Sequence, residues 1–289
     1  MTLFLDPISN PPVKVLGLGV FDGLHLGHKQ LFSKCTHLMT FSPHPDLVLN
    51  KRTSLKTITT LEEMRVIYPN IIALNFTKEI AALTPQAFCD NILLAQLNPK
   101  KIVVGYDYRF GHKRLGDVPF LSKWCEKNNI DFECIQPFSI DNVPVKSGVI
   151  RNALEQGEFN KAVALLGHAY IIKGDVIKGE GRGTSLGYPT ANIAVSNNKL
   201  LPTPGVYTGR VLVEDTFYLC MIYIGSKPTF NGTQKGVEVY IHQFNQTIYN
   251  HNLTVFIEAY VRDELTFNDK EELMTQIKLD LTVLNTAKL

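Results

Sequence analysis

Gly19-Val20-Phe21-Asp22-Gly23-Leu24-His25-Leu26-Gly27-His28-Lys29-Gln30-Leu31 follows a β-rich run that begins at Val13. This junction decides the fold of the first half. Its glycines permit a tight turn out of a strand, and the residues beyond predict a helix through Leu31. A strand, a glycine turn and a helix start present backbone N–H groups and the positive end of a helix dipole to an anion. His25 and His28 add imidazole donors there, suited to charge developing on a transferring group. Two histidines alone are more often packing or metal residues, and it is their place at the turn that favours the anion site.

The same rhythm continues outward. Strands are expected at 37–41, 71–76, 101–105 and 131–135, with helices at 61–67, 85–97 and 120–127. Strands separated by helical crossovers predict a Rossmann-like α/β domain whose ligands sit beyond the carboxyl ends of a parallel sheet. After about residue 165 the pattern changes to β runs at 169–177, 206–213, 217–224, 237–244 and 253–262, which predict an antiparallel barrel. A closing helix follows, with Asn268 as cap, Glu271 three residues on, and Leu273, Ile277 and Leu281 at four-residue spacing. Residues 148–166 read as two helical stretches without a linker, so the expected domains are 1–165 and 166–289.

At 289 residues the chain exceeds what one core usually organises. Apolar residues make up 45% and charged residues 19%, an ordinary globular balance. The net charge of +2, from 29 basic and 27 acidic residues without a long basic block, calls for no nucleic-acid partner. Five cysteines without paired short spacing argue against a disulfide framework or zinc site and for reduced thiols in the cytoplasm. No run approaches the ~20 apolar residues that span a bilayer, so no membrane partner is expected. The sequence sets no oligomeric state.

A second constellation is Gly179-Glu180-Gly181-Arg182-Gly183-Thr184-Ser185-Leu186-Gly187-Tyr188-Pro189-Thr190-Ala191-Asn192. Closely spaced glycines let backbone N–H groups approach phosphate, and a Thr hydroxyl and an Asn carbonyl are hard oxygen ligands suited to Mg²⁺. The glycines alone would equally suit a surface hairpin.

Other motifs follow in order: Thr40-Phe41-Ser42-Pro43-His44-Pro45, Gly105-Tyr106-Asp107-Tyr108-Arg109-Phe110-Gly111, and 147–151. With them the first half resembles the nucleotidyltransferases with paired HxGH histidines, specifically the bacterial bifunctional riboflavin kinase/FMN adenylyltransferase family. Residues 186–192 resemble that family's riboflavin kinase signature, with further matches at 205–207, 225–230 and 237–241. The resemblance implies phosphorylation of riboflavin to FMN in the C-terminal domain and adenylylation of FMN to FAD in the N-terminal one, with ATP as co-substrate and Mg²⁺ as cofactor.

By the same resemblance Gly19, Phe21, Asp22, Gly23, His25, His28, Ser147 and Arg151 meet the first ATP, and Asp107 and Arg109 lie near the flavin substrate. Gly181, Gly183, Gly187, Thr190 and Asn192 meet the second ATP, with Thr190 and Asn192 on the metal. Glu238 is the base for the ribityl hydroxyl, and Arg262 and Phe267 lie near the flavin. An alcohol nucleophile needs a base, whereas the FMN phosphate, already anionic, needs mainly alignment and charge neutralisation. Three departures concern the first domain: a short segment 29–40, Ser42 where an acidic residue is common, and Gly148 where Thr is usual. They leave open a riboflavin kinase with a weak adenylyltransferase. A flavin-binding regulator without turnover is the third reading, and Glu238, Thr190 and Asn192 speak against it.

Overall fold

A computed structural model describes residues 13–49, 55–141, 143–179, 183, 186–229 and 232–286. The chain divides into two compact units, Met1–Ser147 and Gly148–Leu289.

In the first unit β1 (Val15–Leu18), β2 (His37–Ser42), β3 (Ile71–Asn75), β4 (Lys101–Gly105) and β5 (Asp131–Ile135) form a parallel sheet in the order β3-β2-β1-β4-β5. Leu16, Leu18, Met39, Ile102 and Val104 join one buried cluster, while Leu38, Ile71 and Val103 join another. Both faces are covered, which is why these strands read as apolar runs rather than as alternation. The order reverses between β1 and β4, a switch point whose carboxyl end is the expected ligand crevice.

Helix α1 (Leu26–Phe32) leaves that point and is capped at Ser33, two residues before Cys35. Thr36 closes the crossover: its N–H donates to the Val15 carbonyl (2.9 Å), and Val15 N–H donates to its hydroxyl (3.0 Å). The stretch 85–97, expected as one helix, begins as an α-turn at Pro85–Phe88 and widens into a π-helix at Cys89–Leu97, ended by left-handed Asn98. A small hairpin, β6 (Ser139–Ile140) and β7 (Val143–Pro144), precedes Ser147.

Helix Ser147–Glu155 starts at the unit boundary and, with Phe159–Leu166, opens the second unit. Phe159 packs edge-on against Tyr170 and Tyr207, and Asn160 Oδ1 accepts from Tyr260 N–H (3.3 Å), tying the second helix to the barrel strands. The contact boundary therefore falls earlier than the change of sequence rhythm at 165/166. The strands are β8 (Tyr170–Ile177), β9 (Thr190–Ala194), β10 (Gly205–Val213), β11 (Thr216–Thr229), β12 (Gly232–Ile241) and β13 (Asn252–Arg262), closed in the order β10-β11-β12-β9-β8-β13. Register rows such as Tyr207–Ile222–Val239 are buried and belong to one face.

The closing helix, Lys270–Thr286, lays Leu281 and Leu284 against Val206, Met221, Tyr223 and Tyr240 on the other face. Its cap is shifted by one residue from the expected Asn268/Glu271. Asp269 Oδ1 accepts from Glu272 N–H (2.8 Å), and Glu272 Oε2 accepts from Asn268 N–H (2.9 Å). Both frames carry the required spacing, and the charged Asp269 carboxylate occupies the cap.

Candidate functional site

At the carboxyl end of β1 the chain turns through Phe21 (φ 55°), Gly23 (φ 90°) and Leu24 (φ 42°). Left-handed Phe21 and Leu24 cost about 1–3 kcal/mol each and persist only where surrounding contacts fix them. Both are buried, and Thr40 Oγ1 donates to the Val20 carbonyl (2.7 Å). The strain is concentrated at the turn where the sequence leads one to expect the phosphates.

His25 caps α1, its Nδ1 accepting from His28 N–H (3.3 Å). The two imidazoles stack with centroids 3.7 Å apart, and Phe21 meets His28 edge-on. His28 Nδ1 is buried and finds no partner among the described residues. Burial, and then the neighbouring His25, hold the pKa of His28 well below 6.5. His28 is thereby held neutral near pH 7.

Asp22 organises the turn rather than reaching outward. Its buried carboxylate accepts from the N–H groups of Ile58 (2.8 Å) and Thr59 (3.2 Å), while its carbonyl accepts from Ser147 Oγ (2.7 Å). Ser147, distant in sequence, is therefore brought to the histidine turn through the Asp22 carbonyl. Arg151 stands one turn beyond Ser147 on the same helix. At the end of β4, Asp107 and Arg109 are exposed, Arg109 facing Asp117 at 3.4 Å, between buried Tyr108 and Phe110. Lys146 lies over the Tyr106 ring (5.7 Å), bringing this loop beside Ser147. Sequence reasoning passed over Lys146, although it directly precedes a quoted motif. His44 is satisfied locally, its Nδ1 accepting from Asp46 N–H (3.1 Å).

In the barrel one cross-strand row runs Arg262–Val206–Tyr223–Glu238–Asn192 across five strands. Directly paired residues share a face, so Arg262, Glu238 and Asn192 line one surface. Thr190, diagonal to Glu238, donates from Oγ1 to Glu238 Oε2 at 3.1 Å. Tyr188 meets Tyr240 edge-on beside them. Two described glycines lie close against this group: a Cβ at Gly179 would lie 2.1 Å from Asn192 Nδ2, and one at Gly183 would lie 2.4 Å from the Tyr188 carbonyl. Gly187 adopts φ 82°. Gly181 lies outside the described residues. Phe267 is half-buried in the segment before the closing helix.

Sequence reasoning missed β9, the strand carrying Thr190 and Asn192, and it missed Tyr223. The hydroxyl of Tyr223 is hydrogen-bonded to Glu264; burial, and then Glu264, push its pKa up. The described cysteines are all unpaired, and burial pushes the Cys35 and Cys125 thiols up to about 12. Among the described residues no group of three or more His, Cys, Asp or Glu could hold a metal, and no helix is long and apolar enough to cross a membrane.

Family models match both parts of the chain, one described as FAD synthetase over residues 8–149 and one as riboflavin kinase over residues 166–287. A bifunctional riboflavin kinase/FMN adenylyltransferase of Listeria monocytogenes is 36% identical, with 92% of this chain and 90% of the relative covered. The Bacillus subtilis protein of the same name is 32% identical over 92% and 90%. A crystal structure from Streptococcus pneumoniae, described as a macrolide-efflux protein, superposes with a TM-score of 0.83 at 30% identity, covering 98% of this chain and 97% of that one. With an HxGH turn at the switch point of an α/β unit, a Thr–Asn–Glu group on a six-stranded barrel, and these full-length likenesses, the chain belongs to the bifunctional riboflavin kinase/FMN adenylyltransferase (FAD synthetase) family.

Proposed function

We propose that the barrel unit phosphorylates riboflavin at the Glu238 row and that the α/β unit adenylylates the resulting FMN at the HxGH turn. The observation that carries the reading is the bond from Thr190 Oγ1 to Glu238 Oε2 (3.1 Å), with Asn192 paired directly across from Glu238. This contact orients a carboxylate beside two neutral hard oxygens. Glu238 accepts the ribityl hydroxyl proton as that oxygen attacks the γ-phosphorus of ATP and ADP departs. Thr190 and Asn192 fit Mg²⁺, a small hard cation that accepts few protein oxygens and completes its shell with water and phosphate. When bound, it neutralises phosphate charge. The glycines at 179 and 183 hold the backbone tight over the same side chains.

In the first unit an FMN phosphate oxygen attacks the α-phosphorus of the second ATP and pyrophosphate leaves, with no proton to remove. His25, His28 and the backbone of the turn stabilise the departing charge, and Ser147 is held to that turn through the Asp22 carbonyl. Asp107 and Arg109 approach the flavin. The unpaired, protonated thiols fit a cytoplasmic location. One observation favours a second reading, a kinase with slow adenylylation. A Cβ at Gly148 would meet nothing within 4 Å, so packing does not replace the threonine usual in relatives.

Incubation with riboflavin and MgATP, followed by separation of FMN from FAD, distinguishes the two. For the kinase assignment, Glu238→Gln is expected to lower FMN formation by about 10²-fold to 10⁴-fold while FAD formation from supplied FMN survives. Kinase turnover within twofold of the parent would remove Glu238 from its role.

A further inference from the structure

The row that holds Glu238 ends on Arg262, whose guanidinium is fixed from the closing helix. Arg262 Nε donates to Asp280 Oδ1 (2.9 Å) and Oδ2 (3.1 Å), Nη2 donates to Oδ2 (2.7 Å), and Nη1 donates to the Asp263 carbonyl (2.9 Å). A guanidinium carries five N–H donors in one rigid plane. Three are used, which leaves one on each terminal nitrogen without a partner among the described residues.

Asp280 is only 7% exposed, and it accepts a further bond from Gln276 Nε2 (2.8 Å). It interrupts the apolar face formed by Leu281 and Leu284. Burying a carboxylate there carries a desolvation cost that a leucine would avoid. A helix that only needed holding against the barrel would be served by the apolar contacts. A forked carboxylate additionally fixes the orientation of a planar cation. Beside it, the bond between Tyr223 and Glu264 pins the same segment, 262–264, to the strand next to Glu238.

We propose that Asp280 is a positioning residue for riboflavin phosphorylation: it holds the plane of Arg262 so that the two remaining N–H groups face an acceptor oxygen of the flavin. This rests on the assignment of the barrel site to riboflavin. Asp280 touches no substrate itself. Its loss lets the guanidinium turn, which weakens flavin binding and leaves the Glu238 chemistry intact.

Steady-state kinetics with varied riboflavin at saturating MgATP test this in Asp280→Asn, Arg262→Gln and the double variant, with FAD formation from FMN as a control in each preparation. Asp280→Asn is expected to raise KM for riboflavin about tenfold with kcat within about threefold, the signature of lost ground-state binding. The double variant is expected to match Arg262→Gln, because the two residues act as one unit. An unchanged KM in Asp280→Asn, or effects that multiply in the double variant, overturns the proposal. If Asp280→Asn does not fold, Asp280→Glu decides. It keeps the charge pair but lengthens the arm by one methylene: a raised KM at unchanged kcat supports the role, and an unchanged KM overturns it. Glu238→Gln, run in the same series, separates the two levels, since full kinase turnover there means the site assignment has failed whatever Asp280 does.

Discussion

His28 shows how a single residue records its setting. An exposed imidazole would protonate near 6.5, but burial and the stacked His25 ring lower its proton affinity in the folded chain. The unfolded chain therefore binds a proton at a pH where the native one does not. Stability from this residue is present above 6.5 and declines as pH falls from 6.5 toward the depressed native value. His37, whose pKa burial also lowers, adds a change of the same sign. The expected outcome is that the urea midpoint of the first unit falls between pH 7.5 and 5.5, and that His28→Asn flattens part of this fall. Parallel pH curves for parent and variant would contradict the burial of a neutral His28. Both histidines were legible in the sequence because a strand, glycines and a helix start surround them. The role of Asp22 was not, because its carboxylate meets Ile58 and Thr59, and no local pattern in the chain encodes a contact that distant.

The elements were read unevenly, for reasons of length and spacing. The five parallel strands were visible as apolar runs, whereas β9 has only five residues, follows a glycine-rich stretch and gains its pairing from β12 and β8. Its function is correspondingly sensitive to what lies over it. At Gly179 a Cβ would sit 2.1 Å from Asn192 Nδ2, closer than any side chain tolerates, so Gly179→Ala must push the amide off the Glu238 row. Riboflavin phosphorylation is expected to drop at least about tenfold, the scale of one lost hydrogen bond to a charged phosphate or metal-bound oxygen. The melting temperature should change little, since the displaced side chain belongs to the site and not to the barrel interior. Unimpaired kinase activity would mean that Asn192 contributes nothing to phosphate or metal binding. The off-by-one cap of the closing helix has a different origin: Asn268/Glu271 and Asp269/Glu272 offer the same spacing, and only the three-dimensional position of the first turn selects between them.

At the scale of the whole molecule, the change from alternating strands and helices to bare strands announced two folds. The closing of the barrel by β10 against β13 was not legible, because that pairing joins residues about fifty positions apart in sequence and depends on the register of every strand between them. Each unit has its own buried clusters and its own proposed site, which makes the division of labour separable by mutation. Glu238→Gln should adenylylate supplied FMN but make it from riboflavin only at the strongly reduced residual rate. His28→Ala, which removes the proposed donor to the triphosphate, should make FMN and accumulate it. Neither variant alone should carry riboflavin to FAD at an appreciable rate. FMN formed on a barrel must dissociate before another chain can use it, so an equimolar mixture should produce FAD after a lag that shortens as total protein rises. That concentration dependence follows from a freely diffusing intermediate and has no counterpart in transfer confined to one chain. A mixture that stays at FMN, although each variant retains its own half-reaction, would show that FMN made on one chain does not reach the adenylylation site of another.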